Sequence, residues 1–389
     1  MYQKNEREET DMLLKNAKVV NDQFDVVDAE VQIQGEKIEK IVPQGTVQDD
    51  QVYDLAGCTI IPGFIDQHIH GCAGYDTGDA TPEAIEGMSA HLAKHGVTSF
   101  CPTTMTLPEE QLSKILKNVK HCMDHGVSGA YPQGVNMEGP YIAMSKKGAQ
   151  NAAYVRNPDP EEFKKLFDEC GGIIKLVDIA AETDGADEFI RQVCPLCQIS
   201  LAHTAANYEQ AKHGFDLGIS QVTHMFNAMS GLTHRAPGVV GAVMDDDKVR
   251  AELICDGFHI SPVVLRIAFK TLGEDRTIVV SDSLKAADCP DGEYELGGQP
   301  VFVRNGKALL EDGTIAASTS NIHEEFKNLL SFGIPFRQAV KSATINPARQ
   351  LKVDHLTGSI KEGKLADIVV LDQNYDIKMV IIKGKVVVG

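Results

Sequence analysis

From about Pro62 to Lys352 the chain alternates short apolar runs with amphipathic stretches, and that alternation leaves few folds open. The runs fall at 64–70, 97–102, 134–138, 173–180, 199–203, 221–224, 251–255 and 277–282. Between the first two, 81–95 opens with Thr81-Pro82-Glu83, a cap followed by proline in the first turn. After the second, 108–125 sets Leu112, Ile115, Leu116 and Val119 at helical spacing. Strand followed by helix, repeated about eight times, predicts an α/β fold of (β/α)8 TIM-barrel type, with a doubly wound open sheet as the alternative. Neither a GxGxxG after a strand nor a GxxxxGK[ST] occurs, so nucleotide folds lose support.

The two ends read differently. Strand-like segments lie at 13–20, 28–34, 37–42 and 58–61, punctuated by Gly35 and Pro43-Gln44-Gly45. Others lie at 367–371 and 379–388, around the turns Gln373-Asn374 and Gly384. Neither end has enough apolar residues for a core alone. The expectation is one small discontinuous β-sandwich domain from 1–61 and 353–389, around a catalytic barrel at 62–352. A chain of 389 residues is long enough for both. The first ten residues are polar, expected to be frayed and unlike a signal peptide, and no apolar run is long enough to span a bilayer. A formal charge of -18 argues against nucleic acid or an anionic membrane as partner. An anionic small molecule can still be held by a few local cations. Nine scattered cysteines fit reduced thiols in a cytoplasmic protein, and Cys194-Pro195-Leu196-Cys197 reads as buried free thiols.

Chemistry gathers where the runs end. His68 and His70 close the first; residues i and i+2 of a strand share a face, so the rings converge, unless the pair is merely exposed on a loop. Glu138, His203, His224 and Asp282 close four further runs. Five strands thus carry imidazole or carboxylate at the barrel end where catalytic groups collect. Three to five N/O ligands with one open position suit a hydrolytic metal, zinc or ferrous iron foremost, with manganese or cobalt as other divalent choices. Such a metal lowers the pKa of water toward neutrality, generating hydroxide as nucleophile, and polarises a carbonyl. Asp282 is the candidate general acid/base, with a plain metal ligand or helix N-cap as the bland alternatives.

Several blocks together resemble the N-acetylglucosamine-6-phosphate deacetylases of the amidohydrolase superfamily. These are the His68-Ile69-His70 strand, Met137-Glu138-Gly139-Pro140-Tyr141, Lys146-Lys147-Gly148-Ala149, His203-Thr204, His224-Met225-Phe226-Asn227-Ala228-Met229, Asp256-Gly257-Phe258-His259 and Ser281-Asp282. The C-terminal Gly358-Ser359-Ile360-Lys361-Glu362-Gly363-Lys364-Leu365-Ala366-Asp367 is superfamily-like and less specific. The resemblance implies deacetylation of N-acetylglucosamine 6-phosphate to glucosamine 6-phosphate and acetate. It implies that Glu138, His203 and His224 hold the main metal, and that His68 and His70 allow a second one bridged by Glu138. Asp282 then matches the acid/base. Asn227, Ala228 and His259 match sugar-phosphate contacts, and Ala149 and Gln150 belong to the substrate site. Ile315, Ala316 and Ala317 fall where the acetyl end is met. Arg235 matches an arginine given to the neighbouring subunit's phosphate, which implies a homodimer. Two departures stand out: Gln150 where many relatives have histidine, able to donate a neutral hydrogen bond but not to carry positive charge, so that the metal does more of the polarising, and Ala317 where glycine is common, which tightens the acetyl pocket slightly. Lys146 and Lys147 read as a solvated pair at the rim. The competing readings are N-acetylgalactosamine 6-phosphate or another N-acyl substrate, and a non-catalytic sugar-phosphate binder, which Asp282 beside a full ligand set disfavours. Cyclic-amide hydrolases often bridge their metals with a carboxylated lysine, and Glu138 at that position counts against them.

Overall fold

The computed structural model describes residues 11–47 and 51–389, and the first ten residues, expected to fray, lie outside the described residues. The barrel strands are β1 (Phe64–Ile69), β2 (Val97–Thr104), β3 (Val135–Tyr141), β4 (Ile174–Ile179), β5 (Gln198–Leu201), β6 (Gln221–Val222), β7 (Arg250–Leu253) and β8 (Thr277–Val279). Each pairs in parallel with the next. The last returns to the first just beyond its end, where Asp282 N–H donates to the His68 carbonyl (2.9 Å) and His70 N–H to the Ser283 carbonyl (2.9 Å). That closure is a (β/α)8 barrel, and the open sheet is set aside.

The strands that lead to His203, His224 and Asp282 stop earlier than the sequence suggests, at Leu201, Val222 and Val279. The polar residues beyond them take left-handed backbone: φ is 42° at His203, 33° at His224 and 47° at Asp282. This conformation breaks the ladder and swings each side chain over the barrel mouth, at a cost of about 1 kcal/mol or more per residue. Outside the strands, helix Pro82–Lys94 starts where Thr81 accepts the Ala84 N–H, and helix Glu109–His125 buries Leu112, Ile115, Leu116 and Val119.

The chain ends form one eight-stranded sheet in the order Lys385–Val388, Ile377–Ile382, Ile368–Leu371, Thr59–Pro62, Met12–Val20, Val26–Gln34, Lys37–Val42, with Val52–Asp54 beside Met12–Val20. The sheet rolls back on itself: Ile38 N–H meets the Lys364 carbonyl and Ala366 N–H the Glu36 carbonyl. Ile368 and Val370 face a core with Leu14, Val31, Ile33 and Ile381, while Val369 and Leu371 face the barrel's own core. A strand apolar at every position is thereby buried on both faces.

A four-stranded antiparallel sheet, Gly292–Leu296, Gln299–Arg304, Lys307–Leu309 and Ile315–Ala317, was not expected. Its hairpins turn at Gly297-Gly298 and Asn305-Gly306, all four residues having positive φ, as two-residue turns require. It follows β8 and delivers Ile315 to the mouth. Among the described residues no helix is long and apolar enough to cross a membrane.

Candidate active site

Four imidazoles and two carboxylates converge at the strand ends, all buried. They form two sets, Glu138 with His203 and His224, and Asp282 with His68 and His70; in each, the ligand atoms lie within 4.8 Å of one another. Glu138 stands between them. Its Oε1 is 3.1 Å from His203 Nε2 and 3.2 Å from His224 Nε2, and its Oε2 is 3.3 Å from His70 Nε2. Asp282 Oδ1 is 3.3 Å from His70 Nε2 and 3.5 Å from His68 Nε2. The register slip between Asp66 and Ile69 on β1 lets Gln67 and His68 both reach the barrel interior.

Three of the rings are oriented from behind. Nδ1 of His68 faces Glu252 Oε2 (3.0 Å), that of His70 the Thr103 carbonyl (3.3 Å), and that of His203 the Lys146 carbonyl (2.8 Å). A carbonyl only accepts, so Nδ1 of His70 and of His203 carries a proton, and all three Nε2 atoms turn to the cluster, where each can take up a proton or a metal ion. His68 Nε2 is buried without a hydrogen-bond partner, and the Nε2 atoms of His203 and His224 are 3.2 Å apart. Lone pairs and carboxylates gathered this way attract positive charge. Burial opposes protonation of His70, yet hydrogen bonds to Asp282 and Glu138 push it up to about 9. Burial likewise opposes the charge on Glu138, but hydrogen bonds from His203, His224 and His70 hold it well below the usual carboxylate range. Asp282 is also lowered: the charges of His68 and His70 outweigh burial. A divalent cation fits this donor set of imidazole nitrogen and carboxylate oxygen.

The cluster floors a cavity of about 370 Å³. Of the residues expected there, Ala149, Gln150, Asn227, Ala228, His259, Ile315 and Ala316 line it, together with His70, Glu138, His203, His224 and Asp282. His68 sits behind this wall. Ala317 is buried opposite Ala308 in its sheet and does not line the cavity, so its methyl does not narrow the space as expected. Arg235 is on the exposed stretch 231–236 and does not reach the cavity of its own chain. The lysine pair is half-buried, not solvated: Lys146 lines the cavity with Nζ on the Met229 carbonyl (3.2 Å), and Lys147 Nζ bonds the Gly148 carbonyl. Gln150 is oriented by the Thr106 N–H on its Oε1 (2.7 Å), and its Nε2 donates to Glu138 Oε2 (2.6 Å). One amide hydrogen expected for a substrate carbonyl is thus directed to Glu138. Asn227 is fixed by two bonds to the His224 carbonyl, and His259 donates Nδ1–H to Asp256 (2.7 Å), leaving Nε2 to meet a ligand.

With this geometry in place, the model of the amidohydrolase family matches residues 59–387. The chain belongs to the amidohydrolase family. It is 34% identical over 382 residues to the N-acetylglucosamine-6-phosphate deacetylase of Bacillus subtilis (strain 168), covering 96% of each chain. It is 33% identical over 328 residues to the N-acetylgalactosamine-6-phosphate deacetylase of Escherichia coli O157:H7, covering 84% of this chain and 87% of that one. Among solved structures, that of a Mycobacterium smegmatis N-acetyl-D-glucosamine-6-phosphate deacetylase mutant, in complex with N-acetyl-D-glucosamine-6-phosphate, superposes with a TM-score of 0.92. Identity there is 29%, over 98% of this chain and all of that one.

This amidohydrolase also uses groups that the sequence reading passed over. Glu252, within β7, takes hydrogen bonds on Oε1 from Gln67 (2.7 Å) and Gln221 (2.8 Å) while Oε2 orients His68. Asp178 on β4 accepts from Thr223 (2.9 Å), and burial pushes its carboxyl well up. A charged residue in the middle of a short apolar strand was the available signal, as in Ala251-Glu252-Leu253 and Val177-Asp178-Ile179.

Proposed function

We propose that this amidohydrolase removes acetate from N-acetylglucosamine 6-phosphate to give glucosamine 6-phosphate. The observation that carries the reading is one cavity in which the two imidazole–carboxylate sets meet Asn227, Ala228 and His259. Its match to relatives named for that deacetylation, over nearly their whole length, supports the substrate.

In this proposal Glu138, His203 and His224 would hold the main ion, and His68 and His70, sharing Glu138, would hold a second. Zn2+ or Fe2+ suits the mixed nitrogen and oxygen donors best, and Mn2+ or Co2+ also fits. When bound, the ion supplies Lewis acidity, polarising the amide carbonyl and lowering the pKa of water. Asp282, beside His68 and His70 at the mouth, takes the proton of the attacking water. The water oxygen bonds to the acetyl carbon, the C–N bond breaks, and Asp282 returns the proton to the leaving nitrogen. Ala149, Gln150, Ile315 and Ala316 enclose the acetyl end. Asn227, Ala228 and His259 hold the phosphate, completed by Arg235 from a second copy in a homodimer, since guanidinium gives the oxygens paired donors. The protein works in the cytoplasm, as a barrel at 62–352 carrying a small β domain from 1–61 and 353–389.

The relative named for N-acetylgalactosamine 6-phosphate favours a second reading, because the two sugars differ only in the orientation of one hydroxyl. Acetate release from both sugar phosphates and from unphosphorylated N-acetylglucosamine, with elemental analysis of the purified enzyme, tests both. The expected order is gluco over galacto, with the unphosphorylated sugar far behind. A galacto preference selects the second reading. Equal rates without phosphate contradict the roles of Asn227, His259 and Arg235, and no acetate from any substrate ends the proposal.

A further inference from the structure

Among the described residues, one further group of three possible metal-ligating side chains lies away from the cavity. His91 and His95 stand four residues apart at the end of helix Pro82–Lys94, so one helix face carries both rings. The ring centroids are 4.8 Å apart, and both Nε2 atoms turn to a single oxygen, Asp288 Oδ2, at 2.9 Å and 3.3 Å. All three ligand atoms lie within 4.8 Å of one another. Their side chains are 18%, 24% and 29% exposed, enough for an ion to enter and keep water on its open side.

Asp288 belongs to the segment after β8, so the cluster ties the first β/α unit to the last, at the seam where the barrel closes. The same segment is stitched to the end of β1 by Ala73 N–H on the Ala287 carbonyl and Gly74 N–H on the Lys285 carbonyl. Asp288 has φ 59°, a left-handed backbone unfavourable for a non-glycine residue. The negative end of the helix dipole faces the site and favours a cation.

We propose that His91, His95 and Asp288 bind a borderline divalent cation, Zn2+ foremost, as a staple across the seam, with water filling the remaining positions. The test compares wild type with the double variant His91→Asn/His95→Asn after equilibrium dialysis against the same low Zn2+ concentration. Wild type should retain one zinc equivalent more than the variant, and the rise of Tm on adding Zn2+ should be larger in wild type. Counting a difference makes the result independent of how many ions the cavity holds and of its substrate. Neither histidine touches the cavity, so acetate release per folded molecule should stay unchanged. Equal zinc content overturns the site. A one-equivalent difference with identical Tm responses keeps the site and overturns the staple. If the double variant does not fold, Asp288→Asn is read in the same two measurements.

Discussion

The two ends of the barrel handle their carboxylates in opposite ways. Where the strands finish, the ionisable side chains that Glu138 and Asp282 pair with are histidines, not lysines or arginines. Where β7 and β8 start, Asp246 meets Lys212 (2.7 Å), Glu274 meets Arg337 (3.0 Å) and Lys341 (3.2 Å), and Asp275 meets Lys341 (2.8 Å) and Arg349 (2.9 Å). Lysine and arginine stay charged at any working pH, so those pairs are settled. Imidazole can give up its proton and offer a lone pair, so the mouth keeps an affinity for cations. Backbone follows the same division: His203, His224 and Asp282 have positive φ, and Asp246, Glu274 and Asp275 do not. One end carries strain and open chemistry, the other closed charge pairs.

If that division holds, changes at the mouth alter chemistry or metal and leave folding alone. Asp282→Asn removes the proton carrier at nearly constant shape, and turnover should fall about 10²- to 10⁴-fold with metal content unchanged. Near-normal rates would remove Asp282 from the role. Next in size, His68→Asn with His70→Asn should cost one ion equivalent by elemental analysis while the other ion and some activity remain. Loss of both ions would mean the two sets are one site. Smaller again, Glu252→Gln leaves His68 without an anionic acceptor on Nδ1. Metal affinity at that set should weaken about 10- to 100-fold in a chelator competition. An unchanged affinity would show that packing alone orients the ring.

The alternation of strand and helix, and the ligands at strand ends, were legible because both are local: period, turn residues and one polar side chain after an apolar run. What stayed hidden depends on partners far along the chain. Glu252 becomes meaningful only once β1 brings His68 and Gln67 across the barrel. Gln150 looked like a donor for substrate until the Thr106 N–H fixed its amide toward Glu138. Lys146 looked solvated, yet its Nζ folds back to the Met229 carbonyl beside the cavity. The hairpins at 292–317 did carry a signal, in Gly297-Gly298 and Asn305-Gly306, but their strands are short and only partly apolar.

The smallest expected effect lies at the opposite end and tests whether charge there serves stability alone. Burial works against the Asp246 carboxylate, but Lys212 and the N–H groups of Val249 and Lys248 hold its pKa down to about 2. A carboxyl lowered on folding stabilises the protein above its unfolded pKa, and that contribution disappears as pH falls through the folded value. Asp246→Asn keeps an acceptor for the two backbone donors and deletes only the charge facing Lys212. Allowing for solvent screening, the variant should lose about 1 kcal/mol at pH 7 in denaturant unfolding at fixed metal. The gap to wild type should shrink below about pH 4 and close near pH 2, with turnover per folded molecule unaltered throughout. A gap that widens on acidification would contradict the ion pair. A change in turnover would mean that charge at the start of the strands reaches the mouth, and the division between the two ends would fall.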